Sequence, residues 1–217
     1  TQNAKNVILQ KIREEERKVL YDQYYGMEKE VVTGIVQRVM GKNVSVNLGK
    51  ADGVLSENEQ VKGEEFEPTE RIKVYILEVK DTPKGPRILL SRTHPGLVKR
   101  LFESEVAEVK DGTVEIKSIA REAGSRTKIA VWSNDPDVDP VGACVGMNGA
   151  RVNSIVEELR GEKIDIINWD ENPAILIENA LSPAKVIAVM ADPDEKTALV
   201  VVPDYQLSLA IGKEGQN

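Results

Sequence analysis

The chain holds 217 residues, more than the roughly 100–150 of a typical domain, and with 30% charged and 41% apolar residues its composition is that of a globular protein. Aromatic residues make up only 4%, which argues for several small aliphatic cores over one large one, and the single cysteine, Cys144, excludes an intramolecular disulfide. A net charge of −7 argues against a protein that grips polyanions through bulk positive charge.

No apolar run is long enough to cross a bilayer; the longest, Val186–Ala191, stops at Asp192. Lys5, Lys11 and Arg13 have no apolar stretch behind them, so no signal peptide is expected and a cytoplasmic protein is the economical reading. Thr1, not Met, opens the chain inside a helical pattern, and a fragment of a longer protein is expected.

Residues 1–25 read as a solvated connecting helix. Ile8, Ile12 and Val19 form a thin apolar stripe, Glu14 faces Lys18 one turn on, and Gly26 marks the end. The period then changes. Val44, Val46 and Leu48 alternate with Asn43, Ser45 and Asn47, the mark of a half-buried strand. Val31–Val39, Ile72–Val79 and Arg87–Arg92 are further strand candidates. Turns are expected at Gly41-Lys42, Lys50-Ala51-Asp52-Gly53 and Thr82-Pro83-Lys84-Gly85-Pro86. Four or five short strands over residues 26–95 predict a small closed barrel of the OB type.

Pro95 opens a helix through Leu97, Leu101 and Phe102. Strand patterns follow at Val114–Arg121 and Lys128–Trp132, around a turn at Ala123-Gly124-Ser125. A short helix from Pro140 leads into Gly146-Met147-Asn148-Gly149. A second helix carries Val152, Ile155, Val156 and Leu159 on one face, and Lys163–Trp169 reads as a strand. The order then repeats: a helix at Pro173–Leu181, strands at Lys185–Met190 and Thr197–Val202, and a helix through Leu207 and Ile211 with Asp204 as its cap. That helix meets Gly212-Lys213-Glu214-Gly215. Only Asp170, Glu171 and Asn172 separate the two copies. Ile175, Leu176 and Ile177 predict a helix apolar on more than one face, so the copies should dock.

Two residues between glycines is a weak signal alone. Two such loops in register, each behind a short apolar helix and a strand pair, are a strong one. A phosphate can approach the backbone where no Cβ intervenes, and a helix that opens at the second glycine offers N–H groups and a positive dipole end. This gives phosphate binding without a basic surface, and it is how KH domains clamp single-stranded RNA.

The stretch Asp139–Arg151 around the first loop resembles the NusA family of transcription factors. So do Gly161–Ile166, Ala180–Lys185, Val202–Gly212 and Arg87–Arg92. The resemblance covers essentially the whole chain. It implies an α+β multidomain protein: an N-terminal connecting helix over residues 1–25 from the end of a preceding domain, an S1-type OB-fold β-barrel over residues 26–95, and two tandem type II KH domains. These take up residues 96–170 and 171–217, the second incomplete at its C-terminal side. It implies RNA contacts by Gly146, Met147, Asn148, Gly149 and Arg151 in the first loop and by Gly212, Lys213, Glu214, Gly215 and Gln216 in the second. Single-stranded nascent RNA and RNA polymerase are the implied partners, with other antitermination factors, no membrane and a monomeric chain. The implied role is modulation of pausing, termination and antitermination.

Two departures matter. Asn148 stands where many members carry a basic residue, which loosens the expected phosphate grip. Lys42–Val54 lacks the aromatics on which S1 barrels stack bases, leaving Lys42, Lys50, Lys73 and Arg87 to guide RNA by charge alone.

No cofactor, metal site or catalytic residue is expected. Cys144 lacks a base, since the only histidine is the distant His94, and Gly142, Gly146 and Gly149 do not follow a strand as a dinucleotide loop requires. Two alternatives stay open. One is a protein-interaction scaffold with degenerate RNA loops. The other is an RNA-binding appendage of a ribonuclease-type enzyme such as the polynucleotide phosphorylases, which carry these modules in the opposite order.

Overall fold

The computed structural model describes all residues, Thr1–Asn217, and the chain divides into two compact units, Thr1–Leu101 and Phe102–Asn217.

In the first unit, α1 (Gln2–Tyr25) ends at Gly26, which keeps an ordinary helical φ of −65°; this glycine stops the helix without needing left-handed backbone. Ile8, Ile12 and Val19 are exposed, as a solvated helix requires. Only Tyr24 is buried; its hydroxyl donates to the Leu48 carbonyl and accepts from the Lys50 amide, each at 3.2 Å. Five strands follow: β1 (Val31–Met40), β2 (Asn43–Asn47), β3 (Asp52–Leu55), β4 (Arg71–Thr82) and β5 (Gly85–Ser91). They close in the order β1-β2-β3-β5-β4, antiparallel except for the parallel β3–β5 pair. Closure leaves no free sheet edge. Val44, Val46, Leu55, Ile76, Ile88 and Leu90 fill an almost wholly aliphatic interior.

Three features of the barrel depart from the sequence pattern, the first being that Thr82, Gly85 and Pro86, expected in a turn, pair within β4 and β5 and leave only Pro83 and Lys84 between the strands. Asp52 and Gly53, expected in a turn, lie in β3, because the Leu48 amide closes the turn early on the Ala51 carbonyl at 2.9 Å. Arg92 is buried: its guanidinium donates to both oxygens of Glu64 at 2.7 and 2.9 Å and to the Lys73 carbonyl at 2.7 Å, which meets the cost of taking a charge out of water.

The division between the units falls inside α2 (Pro95–Glu105). The second unit continues through α3 (Ala107–Lys110), β6 (Val114–Glu122), β7 (Arg126–Ser133), α4 (Pro140–Val145), α5 (Ala150–Glu158) and β8 (Lys163–Asn168). The sheet runs β6-β7-β8, antiparallel and then parallel. A parallel pair needs a crossover, and α4 and α5 supply it. Val114, Ile129, Val131, Cys144, Ile155 and Leu159 are buried. Glu162, fully buried after α5, accepts from the Arg121 guanidinium at 3.0 Å, the Gly124 amide at 2.7 Å and the Thr127 hydroxyl at 2.7 Å. One carboxylate thereby ties the β6–β7 turn to the entry of β8. At the other end of the sheet Trp132 and Trp169 meet edge to face at 5.8 Å, with Trp132 43% exposed.

The second copy comprises α6 (Pro173–Ala180), a two-stranded sheet of β9 (Ala188–Asp192) and β10 (Thr197–Val201), and α7 (Leu207–Ile211). Asp139 and Asn172 cap α4 and α6 alike, each accepting from the amide two residues on and each followed by proline. Asp204 does not cap α7. It opens a 3-10 turn, Asp204–Gln206, behind Pro203, and makes no capping bond. α6 packs on β9 of its own copy and on β8 of the first. The Asn179 amide donates to the Asn168 carbonyl at 3.1 Å, and Lys128 donates to the Ala180 carbonyl and to Asn217 Oδ1. Leu176 and Ile177 are half-buried in α6, whereas Ile175 remains 40% exposed, so the contacts of α6 cover only part of its apolar surface.

Candidate nucleic-acid interface

The two glycine loops have the same backbone. Gly146 stands at φ 77°, ψ 174° and Gly212 at 74°, 172°; Asn148 at 53°, 27° and Glu214 at 56°, 24°; Gly149 at φ 76° and Gly215 at 73°. The hydrogen bonds repeat with a constant offset. The Gly146 amide donates to the Gly142 carbonyl and that of Gly212 to Ser208, both at 2.9 Å. Gly149 donates to Gly146 at 3.2 Å and Gly215 to Gly212 at 3.3 Å. Asparagine tolerates left-handed backbone better than most residues, which gives Asn148 a conformational reason to occupy its place.

The glycines differ in what surrounds them. A Cβ on Gly146 would stand 2.7 Å from Arg151 Cγ and 3.0 Å from the Arg151 nitrogen. On Gly212 it would stand 3.0 Å from Asn217 Cβ and 3.1 Å from its nitrogen. The first glycine of each loop is therefore demanded by packing inside the protein, not by an incoming ligand. A Cβ on Gly149 would meet only the Asn153 amide, at 3.2 Å, and on Gly215 nothing within 4 Å. The open side of each loop is at its second glycine, and Gly149 is also the cap residue of α5.

The residues named from sequence do not all share one environment. Met147, 85% exposed, and Asn148 form the first tip; Lys213 and Glu214 form the second. Neither tip carries net charge, so an approaching anion would meet backbone amides, and at the first loop the start of α5, rather than a cationic cluster. Arg151 turns away from the tip: its guanidinium donates to Glu108 at 2.9 Å and to the Ala143 carbonyl at 2.7 Å. Gln216 reaches the Ser125 hydroxyl of the first copy at 2.7 Å. Glu108 has no signal in the sequence, because 43 residues separate it from Arg151.

Cys144 lies beneath the first loop. Burial pushes its thiol from an ordinary 9.0 up to about 11, so it is not a thiolate near neutral pH. No group of three or more His, Cys, Asp and Glu side chains is placed to hold a metal ion, and no helix is long and apolar enough to cross a membrane.

Comparison with known families places three profiles end to end: the S1 RNA-binding domain on residues 26–91, the NusA-like first KH domain on 92–169 and the NusA-like second KH domain on 173–217. The chain is also 58% identical, over 216 residues, to the transcription termination/antitermination protein NusA of Bacillus subtilis, a match that covers 100% of this chain and 58% of that protein. The chain belongs to the NusA family. Its NusA relative from Halalkalibacterium halodurans is 56% identical over 100% of the chain and 56% of the relative. That from Thermus thermophilus is 46% identical, again over 100% and 56%. The chain thus spans somewhat more than half the length of these NusA proteins.

Proposed function

We propose that this NusA-family chain binds single-stranded RNA through its two glycine loops, as the RNA-reading part of a factor that modulates pausing, termination and antitermination by RNA polymerase. The observation that carries the reading is the duplicated backbone: two loops of matching dihedral angles, each with its second glycine open to an approaching phosphate. On this reading Met147, Asn148 and Gly149 line one phosphate site and Lys213, Glu214 and Gly215 the other. The chain works as a connecting helix over residues 1–25, a barrel over 26–95 and two KH modules over 96–170 and 171–217. Nascent RNA and the polymerase are its partners in the cytoplasm, with other antitermination factors, and it acts as a monomer without cofactor.

Binding rather than catalysis fits the chemistry of the site, because the one nucleophilic thiol is buried and held protonated. Equilibrium binding of single-stranded RNA tests the proposal. The expected result is saturable binding that weakens with salt and is impaired by Gly149→Asp. Absence of RNA binding, together with retention of polymerase, would instead favour a protein-interaction scaffold. The acidic balance of residues 171–217, 3 Lys/Arg against 7 Asp/Glu, is the feature that favours that rival.

A further inference from the structure

The backbone of each loop is reproduced by two different sequences, and the same side-chain bond accompanies it. In the first loop the fifth residue after the leading glycine is Arg151, whose guanidinium donates to the Ala143 carbonyl at 2.7 Å. In the second loop the fifth residue is Asn217, whose amide donates to the Leu209 carbonyl at 3.2 Å and to Ala210 at 3.0 Å. Ala143 and Leu209 occupy equivalent places, each three residues before its leading glycine. Each lies in the last turn of its helix, whose final carbonyls have no partner in the helix itself. The same fifth residue presses on the leading glycine, leaving no room for a Cβ.

We infer that the residue five places after the leading glycine, Arg151 in the first loop and Asn217 in the second, is a positioning residue that braces the loop by capping the preceding helix, and is not an RNA-contacting group. The inference rests on the loops binding RNA and assigns a role within them. A cation in the first turn of α5 is opposed by the helix dipole, whereas the carbonyl end of α4 favours it. Glu108, at 2.9 Å, supplies the second anchor of the guanidinium. Charge is incidental to the brace, since an uncharged amide makes the equivalent bond in the second loop.

This separates the brace from a phosphate contact by experiment. Three forms of the 217-residue chain, wild type, Arg151→Ala and Arg151→Asn, are titrated with a single-stranded RNA dodecamer at several salt concentrations. Amide exchange of the segment 140–153 is followed in each without RNA. For a brace, Arg151→Ala weakens binding about fivefold, the scale of one net hydrogen bond, with an unchanged slope of affinity against salt and faster exchange in the loop. Arg151→Asn restores slow exchange and affinity despite losing the charge. The inference is overturned if Arg151→Asn binds as poorly as Arg151→Ala and both lose about 0.7 from the salt slope, the loss expected for one phosphate contact on a single strand. It is also overturned if exchange in the loop is the same in all three forms. If the wild type fails to bind RNA, the parent proposal falls, and the exchange measurements alone still decide the brace.

Discussion

Gly146 and Gly149 differ by three places in sequence and answer to different demands. A Cβ at 146 meets an arginine side chain and its backbone nitrogen; a Cβ at 149 meets only the side-chain amide of Asn153. Gly146→Ala is therefore expected to cost stability, about 1–3 kcal/mol from overpacking and left-handed strain, read as a lower melting temperature. Gly149→Asp is expected to weaken RNA binding by more than about 1 kcal/mol, the scale of one charged hydrogen bond. Because Gly149 stands at φ 76°, any side chain there also adds strain. Gly149→Asn carries that strain without the charge, and the difference between the two variants isolates repulsion of phosphate; equal affinities for the pair would remove the phosphate from this position. Cys144 makes a further prediction. Its folded pKa is raised above the ordinary value, so burial of the neutral thiol stabilises the fold below pH ~9, and this contribution falls as pH rises from about 9 towards 11. At pH 8 the native chain should label slowly with a thiol reagent and quickly once unfolded; rapid labelling of the native state would contradict this burial.

Among the elements, those set by local chemistry were readable from sequence and those set by tertiary bonds were not. The alternation of Val44 and Val46 with asparagines yields β2. Asp139-Pro140 and Asn172-Pro173 write the starts of α4 and α6 as a capping side chain followed by a fixed φ. Asp204 has the right chemistry for a cap and is not one, because a 3-10 turn intervenes before α7. The matching glycine pairs were legible because each follows a short apolar helix and a strand pair in the same order, not from their spacing alone. The inward turn of Arg151 was hidden, since its partner Glu108 belongs to a short helix far away in the chain. The buried pair of Arg121 and Glu162, 41 residues apart, was hidden for the same reason. Glu162→Gln leaves the guanidinium buried against a neutral partner, and a loss of roughly 3–5 kcal/mol is expected from breaking such a pair. Urea unfolding of the variant measures it; a loss under about 1 kcal/mol, the range of surface pairs, would show the carboxylate to be dispensable.

For the molecule as a whole, the docking of α6 between β9 and β8 bears on how long an RNA the two loops can hold together. If each loop clamps about four nucleotides, a docked pair holds about eight or more on one strand without ordering a flexible linker. Affinity for oligomers of four to twelve nucleotides should rise steeply to that combined length. A dodecamer that binds no better than a tetramer, once its extra registers are counted, would show the loops working separately. Incubation with labelled RNA and Mg²⁺ should leave the RNA intact; cleavage that persists through repurification would return the ribonuclease-type reading.

The pair formed by Trp132 and Trp169 has a spectroscopic consequence. These are the only two tryptophans of the chain, and both stand in the unit Phe102–Asn217. Excitation at the red edge of indole absorption therefore lights one half of the molecule and leaves the barrel dark. An emission melt of this chain is a thermometer for the KH half alone, and with Trp132 43% exposed at the end of the central strand, its emission also reports how far that end of the sheet is open to solvent.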